Sequence, residues 1–165
     1  ELGVATDIVT TAFAIIFGSL TEVSVESGHH ETCMSHAKGL TTALHMYADD
    51  NGGVLPDATA WSDLLAPYVK EKWGFICPDA RKLKCSYAYN ANLSGLKYDQ
   101  VRAPDAVVAI FESNAGWNAH GGPELLVEEP RHLGGDNWGF ADGHVAWMSR
   151  SEMAKGAGTK YRWSR

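Results

Sequence analysis

The chain has 165 residues, 45% of them hydrophobic, and a formal net charge of -6, which is enough length for one domain with its own core plus an appendage. No lysine or arginine cluster offsets the acidity, so the phosphate-neutralising surface of a nucleic-acid binder is missing and no nucleic-acid partner is expected. Three cysteines suit either redox compartment, and 17 glycines imply many turns.

Residues 1–51 read as one long helix, about 75 Å at 1.5 Å per residue. Between Asp7 and Glu22 no residue is charged, and Ile8, Val9, Phe13, Ile15, Ile16, Phe17 and Leu20 cover every face. A helix apolar all round needs a membrane, a protein core or copies of itself. The uncharged window is shorter than the roughly 20 residues that span a bilayer, and Thr10, Thr11, Gly18 and Ser19 relieve it. No leader peptide precedes Glu1, so an export signal, if used, has been removed or was not included.

The second half of the helix is amphipathic. Ala37, Leu40, Leu44, Tyr47 and Ala48 recur at offsets of three and four, and Asn51, Gly52 and Gly53 close it. The rod outruns a small domain, so the boundary is expected near Ser27, with residues 1–27 protruding and 28–165 forming a globular head. A short helix is predicted over 59–69, with Asp57 or Thr59 as cap and Pro67 weakening its last turn.

Short extended pieces are predicted at 75–77 and 86–89. The run 107–111 is apolar throughout, as a central strand covered on both faces would be. Residues 114–137 read as a long loop of the kind that is functional or interfacial. Asp142 and Gly143 between two hydrophobic runs predict a tight hairpin, since both can take positive φ. The cationic tail from 149 to 165 is expected to be a last strand or an arm packing on a neighbour.

His132, followed nine residues later by Asp142 and Gly143, resembles the closing motif of the prepilin-type H-X9-DG proteins, relatives of type IV pilins and type II secretion pseudopilins. Other pieces agree in order: Cys33 to Tyr47 with Asp49 to Gly53, Leu55 and Pro56; Trp61, Leu64, Leu65, Pro67 and Tyr68; Phe75, Cys77 and Pro78; Ser86 to Asn90. Glu1 falls about where the family's glutamate would. The resemblance implies an α+β fold, with a long N-terminal helix spine packed on a head with a small antiparallel sheet. It implies a subunit that polymerises into an extracellular pilus-like filament, reached through the inner membrane, with no cofactor and no enzymatic activity. The alternatives are a pseudopilin of a type II secretion system and a membrane-tethered metal-binding or enzymatic head. Physics points the same way as polymerisation: burying roughly ten apolar side chains at about 1.5 to 3 kcal/mol each outweighs the ordering cost of assembly.

Several residues invite chemical readings. His29, Cys33 and His36 share a helix face and have zinc or copper ligand types, but a solvated face with one buried cysteine is the preferred reading. His120, His132, Asp136, Asp142 and His144 form a second cluster, in which His132 and Asp142 are expected to lock loop to hairpin by hydrogen bonds. Calcium among Asp136, Asn137 and Asp142 lacks a recognised loop spacing. For the cysteines, Cys77 with Cys85 would close a short loop, and Cys33 with Cys77, positions the family pattern includes, would tie helix to head. No nucleophile motif or phosphate-binding glycine loop is present.

Overall fold

A computed structural model of the chain describes residues 28–71, 73–156 and 160–164. The expectations for Glu1, for the apolar residues from Ile8 to Leu20 and for a protruding spine over 1–27 lie outside the described residues. Residues 28–50 form the helix α1. Of its expected stripe, Ala37, Leu40, Leu44 and Ala48 are buried and Tyr47 is half-buried, and Cys33 extends the buried face one turn earlier. At its end Asn51 N donates to Tyr47 O and Gly53 N to Ala48 O, while Gly52 and Gly53 take φ of 65° and 81°, so left-handed residues satisfy the last carbonyls. No helix among the described residues is long and apolar enough to cross a membrane.

The head is α+β. Strands β1 (Tyr87–Asn90), β2 (Val108–Glu112), β3 (His120–Gly121), β4 (Gly135–Phe140) and β5 (Val145–Ser149) make one sheet in the order β3-β1-β2-β4-β5. The sheet is mixed, because β3 runs parallel to β1, where an antiparallel sheet is expected. β2 is central and wholly buried, as its apolarity foretells. A register shift between Val108 and Ile110 sends Val108 and Phe111 to one core and Ile110 to the other.

One core lies between α1 and the sheet and includes Leu40, Leu44, Trp61, Tyr87, Tyr89 and Ile110. Helix α2 (Trp61–Leu65) belongs to it, flanked by 3-10 turns at Ala58–Ala60 and Ala66–Tyr68. Asp57 accepts from Thr59 N at 2.8 Å, and Pro67 falls in the second turn. The piece expected at 75–77 forms no strand: Phe75 ends a turn and Cys77 is extended but unpaired in the sheet, whereas 86–89 does carry β1.

The second core covers the opposite face with Phe111, Trp138, Phe140 and Met153. Its lid is the tail, which carries a helix the hydrophobic pattern does not announce, α3 (Arg150–Gly156). Ser149 and Glu152 form its capping box: Glu152 Oε2 accepts from Ser149 N at 3.0 Å, and Glu152 N donates to Ser149 Oγ at 3.3 Å. Further on, Val107 bridges Arg162 in parallel, and Trp163 stands edge-on to Phe111 at 4.7 Å. The arm thus packs on its own sheet.

The β4–β5 hairpin forms, but its turn occupies residues 141–144 and only Gly143 is left-handed, with φ of 91°. Gly143 O accepts from Lys38 Nζ at 2.6 Å and Thr41 Oγ1 at 3.2 Å. The Asp-Gly turn therefore docks the hairpin onto α1.

Candidate functional site

Four elements converge at the start of α1. Cys33 comes from the helix, Cys77 from the segment leading into the turn Pro78–Ala80, Glu112 from the end of β2 and His132 from the turn before β4. His132 is held there by its backbone: Gly135 N donates to its carbonyl at 3.0 Å, as does Trp147 Nε1 at 3.0 Å. Leu133 and Gly134, both at positive φ, turn the chain between them. Glu112 follows Ile110 on the α1 side of the sheet by strand alternation.

The site is dry. Cys33, Cys77, Glu112 and His132 have no exposed surface. One ligand atom from each of Cys33, Cys77 and His132 lies within 4.8 Å of the others. Cys77 Sγ is 3.4 Å from His132 Nε2, and that nitrogen is 3.3 Å from Glu112 Oε1. Asn137 Nδ2 donates to the same oxygen at 3.0 Å. Around the site, Tyr87 donates its hydroxyl to Cys33 O at 3.2 Å, and Asp79 Oδ2 lies 3.4 Å from His132 Nδ1. That last separation is too long for a well-made hydrogen bond, and Nδ1 counts as unpartnered, as does Glu112 Oε2.

These neighbours polarise the sulfurs in opposite directions. A hydrogen bond from the Cys33 thiol, helped by His132, outweighs burial and holds Cys77 down to about 5. Cys33 is pushed far up, by that bond first and by burial next. Burial would depress His132, but its bonds to Cys77 and Glu112 prevail and raise it to about 10. The Cys77 sulfur is thus biased toward the thiolate and the His132 ring toward its protonated form. Such a pair can bind a metal or act as a nucleophile, but with no exposed surface on any member a substrate cannot reach the sulfur.

The residue groupings expected from the sequence are redistributed. Of His29, Cys33 and His36, only Cys33 enters the site: His29 Nδ1 pairs with Asp79 Oδ1 at 2.5 Å and His36 Nδ1 faces Ile76 O at 3.1 Å. His132 and Asp142 do not meet. Asp142 Oδ1 instead accepts from His144 N at 3.0 Å and pairs with its Nδ1 at 2.6 Å. Asp136 is taken by Arg150 at 2.8 Å, Asn137 by Glu112, and His120 by Asn118 O at 2.8 Å, so the acidic set expected for calcium is dispersed.

All three cysteines are free, in place of either expected disulfide. Cys85 donates to Tyr87 O at 3.2 Å, and burial pushes it up to about 11. Cys77 and His132 stand 55 residues apart, and Glu112 carried no motif, so local spacing could not assemble the set. Compared with protein-family models, curated proteins and solved structures, the chain matches none.

Proposed function

We propose that this protein is the structural subunit of an extracellular pilus-like filament, polymerising with identical copies through bundled apolar N-terminal helices after residence in the inner membrane. The observation that supports the reading is the placement of α1. It forms one wall of the head and buries its own stripe against the sheet, and in the sequence it follows, six residues on, the uncharged segment between Asp7 and Glu22. The apolar residues from Ile8 to Leu20 cover every face of a helix in the sequence and need shelter from water, which neighbouring copies would supply. Identical subunits joined by a contact that does not close on itself form a helical polymer.

Removal of residues 1–26 tests the reading. The full chain should form filaments in negative-stain electron microscopy, and the truncated chain should stay soluble and unassembled. Filaments from the truncated chain, or a strictly monomeric full chain in detergent, would defeat it.

A further inference from the structure

We propose that Cys33, Cys77, His132 and Glu112 form a structural zinc site that ties α1 to the sheet and to the two loops between them. The site does not depend on whether the chain polymerises.

The donor set comes first. Two sulfurs and one imidazole are among zinc's usual ligand types, and the Glu112 carboxylate, beside His132 Nε2 but outside the set that lies within 4.8 Å, would close a four-ligand structural site by a side-chain shift toward the metal. The separations along Cys77, His132 and Glu112 agree. A tetrahedron with Zn–S of about 2.3 Å and Zn–N or Zn–O of about 2.0 to 2.1 Å has S···N edges of roughly 3.6 Å and N···O edges of roughly 3.3 Å. The corresponding separations are 3.4 Å for Cys77 Sγ to His132 Nε2 and 3.3 Å for His132 Nε2 to Glu112 Oε1. The Cys33 sulfur lies within 4.8 Å of both other ligand atoms, against a sulfur–sulfur edge of roughly 3.8 Å.

The unpartnered atoms point the same way. Glu112 Oε2 is buried without a hydrogen bond, a costly state for a carboxyl unless a cation faces it. With Nε2 on the metal, the remaining proton of His132 is on Nδ1, which faces Asp79 Oδ2. Asn137 meanwhile fixes the carboxylate through Oε1. Both are the outer-shell partners a zinc ligand uses to hold its orientation. Coordination changes no oxidation state: the proton on the Cys33 thiol and the proton on His132 Nε2 pass to solvent, and His132 keeps its Nδ1 proton.

The test uses the full chain in detergent, reduced, stripped with a chelator and titrated with zinc or cobalt(II). The proposal expects one equivalent of zinc to bind. Cobalt should give a thiolate-to-metal charge-transfer band with intense tetrahedral d–d bands, a readout taken on the unaltered sequence. Cys85→Ser should keep the spectrum, Cys33→Ser and Cys77→Ser should lose the charge-transfer intensity that each sulfur carries, and Glu112→Gln should bind at least tenfold more weakly. If the serine variants fail to fold, the spectrum of the unaltered chain decides. Failure of natively folded, reduced protein to take up either metal overturns the proposal. So does an undiminished spectrum in Cys77→Ser, or a Cys33–Cys77 disulfide recovered without reductant and followed by no uptake on reduction.

Discussion

Gly139 lies against Thr41 of α1, and replacing it with alanine measures how tightly helix and sheet are joined there. A Cβ there would lie 2.7 Å from Thr41 Cγ2 and 3.4 Å from Ile110 Cβ. Carbon atoms prefer about 3.5 to 4.0 Å, so helix and strand must separate by close to 1 Å, a gap that forfeits a quarter to a half of each affected contact. Leu40 and Leu44, both fully buried on the same helix face, share that loss. Overpacking of this kind costs about 1 to 3 kcal/mol. At about 4 °C per kcal/mol for a domain of this size, Gly139→Ala should lower the melting temperature by about 4 to 12 °C. Near-UV circular dichroism reads the transition, because Trp61 and Trp138 are buried. Thr41→Ser removes the clashing methyl but keeps the hydroxyl that donates to Lys38 O at 3.0 Å. The double variant should therefore recover at least about 1 kcal/mol relative to the sum of the singles. A melting temperature unchanged in Gly139→Ala, or additive losses in the double variant, would refute this account of the docking.

Three other outcomes follow from the structure. Arg150→Ala should cost about 2 to 3 kcal/mol in urea unfolding at pH 7. It strands Asp136, whose side chain has no exposure, and frees the Glu128 and Val127 carbonyls; partial exposure of the arginine keeps the loss below that of a fully buried pair. Adding Asp136→Asn should recover part of it. Asp142 is held below the usual carboxylate range because its bonds from His144 outweigh partial burial. A carboxylate depressed in this way stabilises the fold above its unfolded value and loses that contribution as pH falls through the folded one. Asp142→Ala should thus be about 0.5 to 1 kcal/mol less stable than the parent at pH 6, a deficit that shrinks as pH falls below the usual carboxylate range, by urea titration across acid pH.

Patterns confined to one element were legible in the sequence. The stripe on α1, the central position of β2 and the β4–β5 hairpin all follow from short-range periodicity or turn chemistry. Helix α3 was missed, the tail being read as a strand or an arm; the spacing of Ser149 and Glu152 was its one signal, and its short length gives apolar periodicity little to work with. The candidate site was not legible. Cys33 sits beside His29 and His36 on the helix surface, and only the packing of β2 and the turn at His132 shows that its partners come from elsewhere. The nine-residue spacing from His132 to Asp142 suggested a direct lock, yet the sheet carries the two to separate ends of β4. His132 faces Cys33, and the Asp142 turn faces Lys38.

The two faces of the sheet are closed by opposite ends of the described chain, α1 on one side and residues 160–163 on the other. During synthesis α1 is made early, but Phe111, Trp138 and Phe140 stay uncovered until Trp163 has left the ribosome. Contacts joining such distant parts of the chain make folding slow. A nascent chain held up before Trp163 has emerged would therefore expose an aggregation-prone sheet with one bare aromatic face, so this fold becomes safe only late in synthesis.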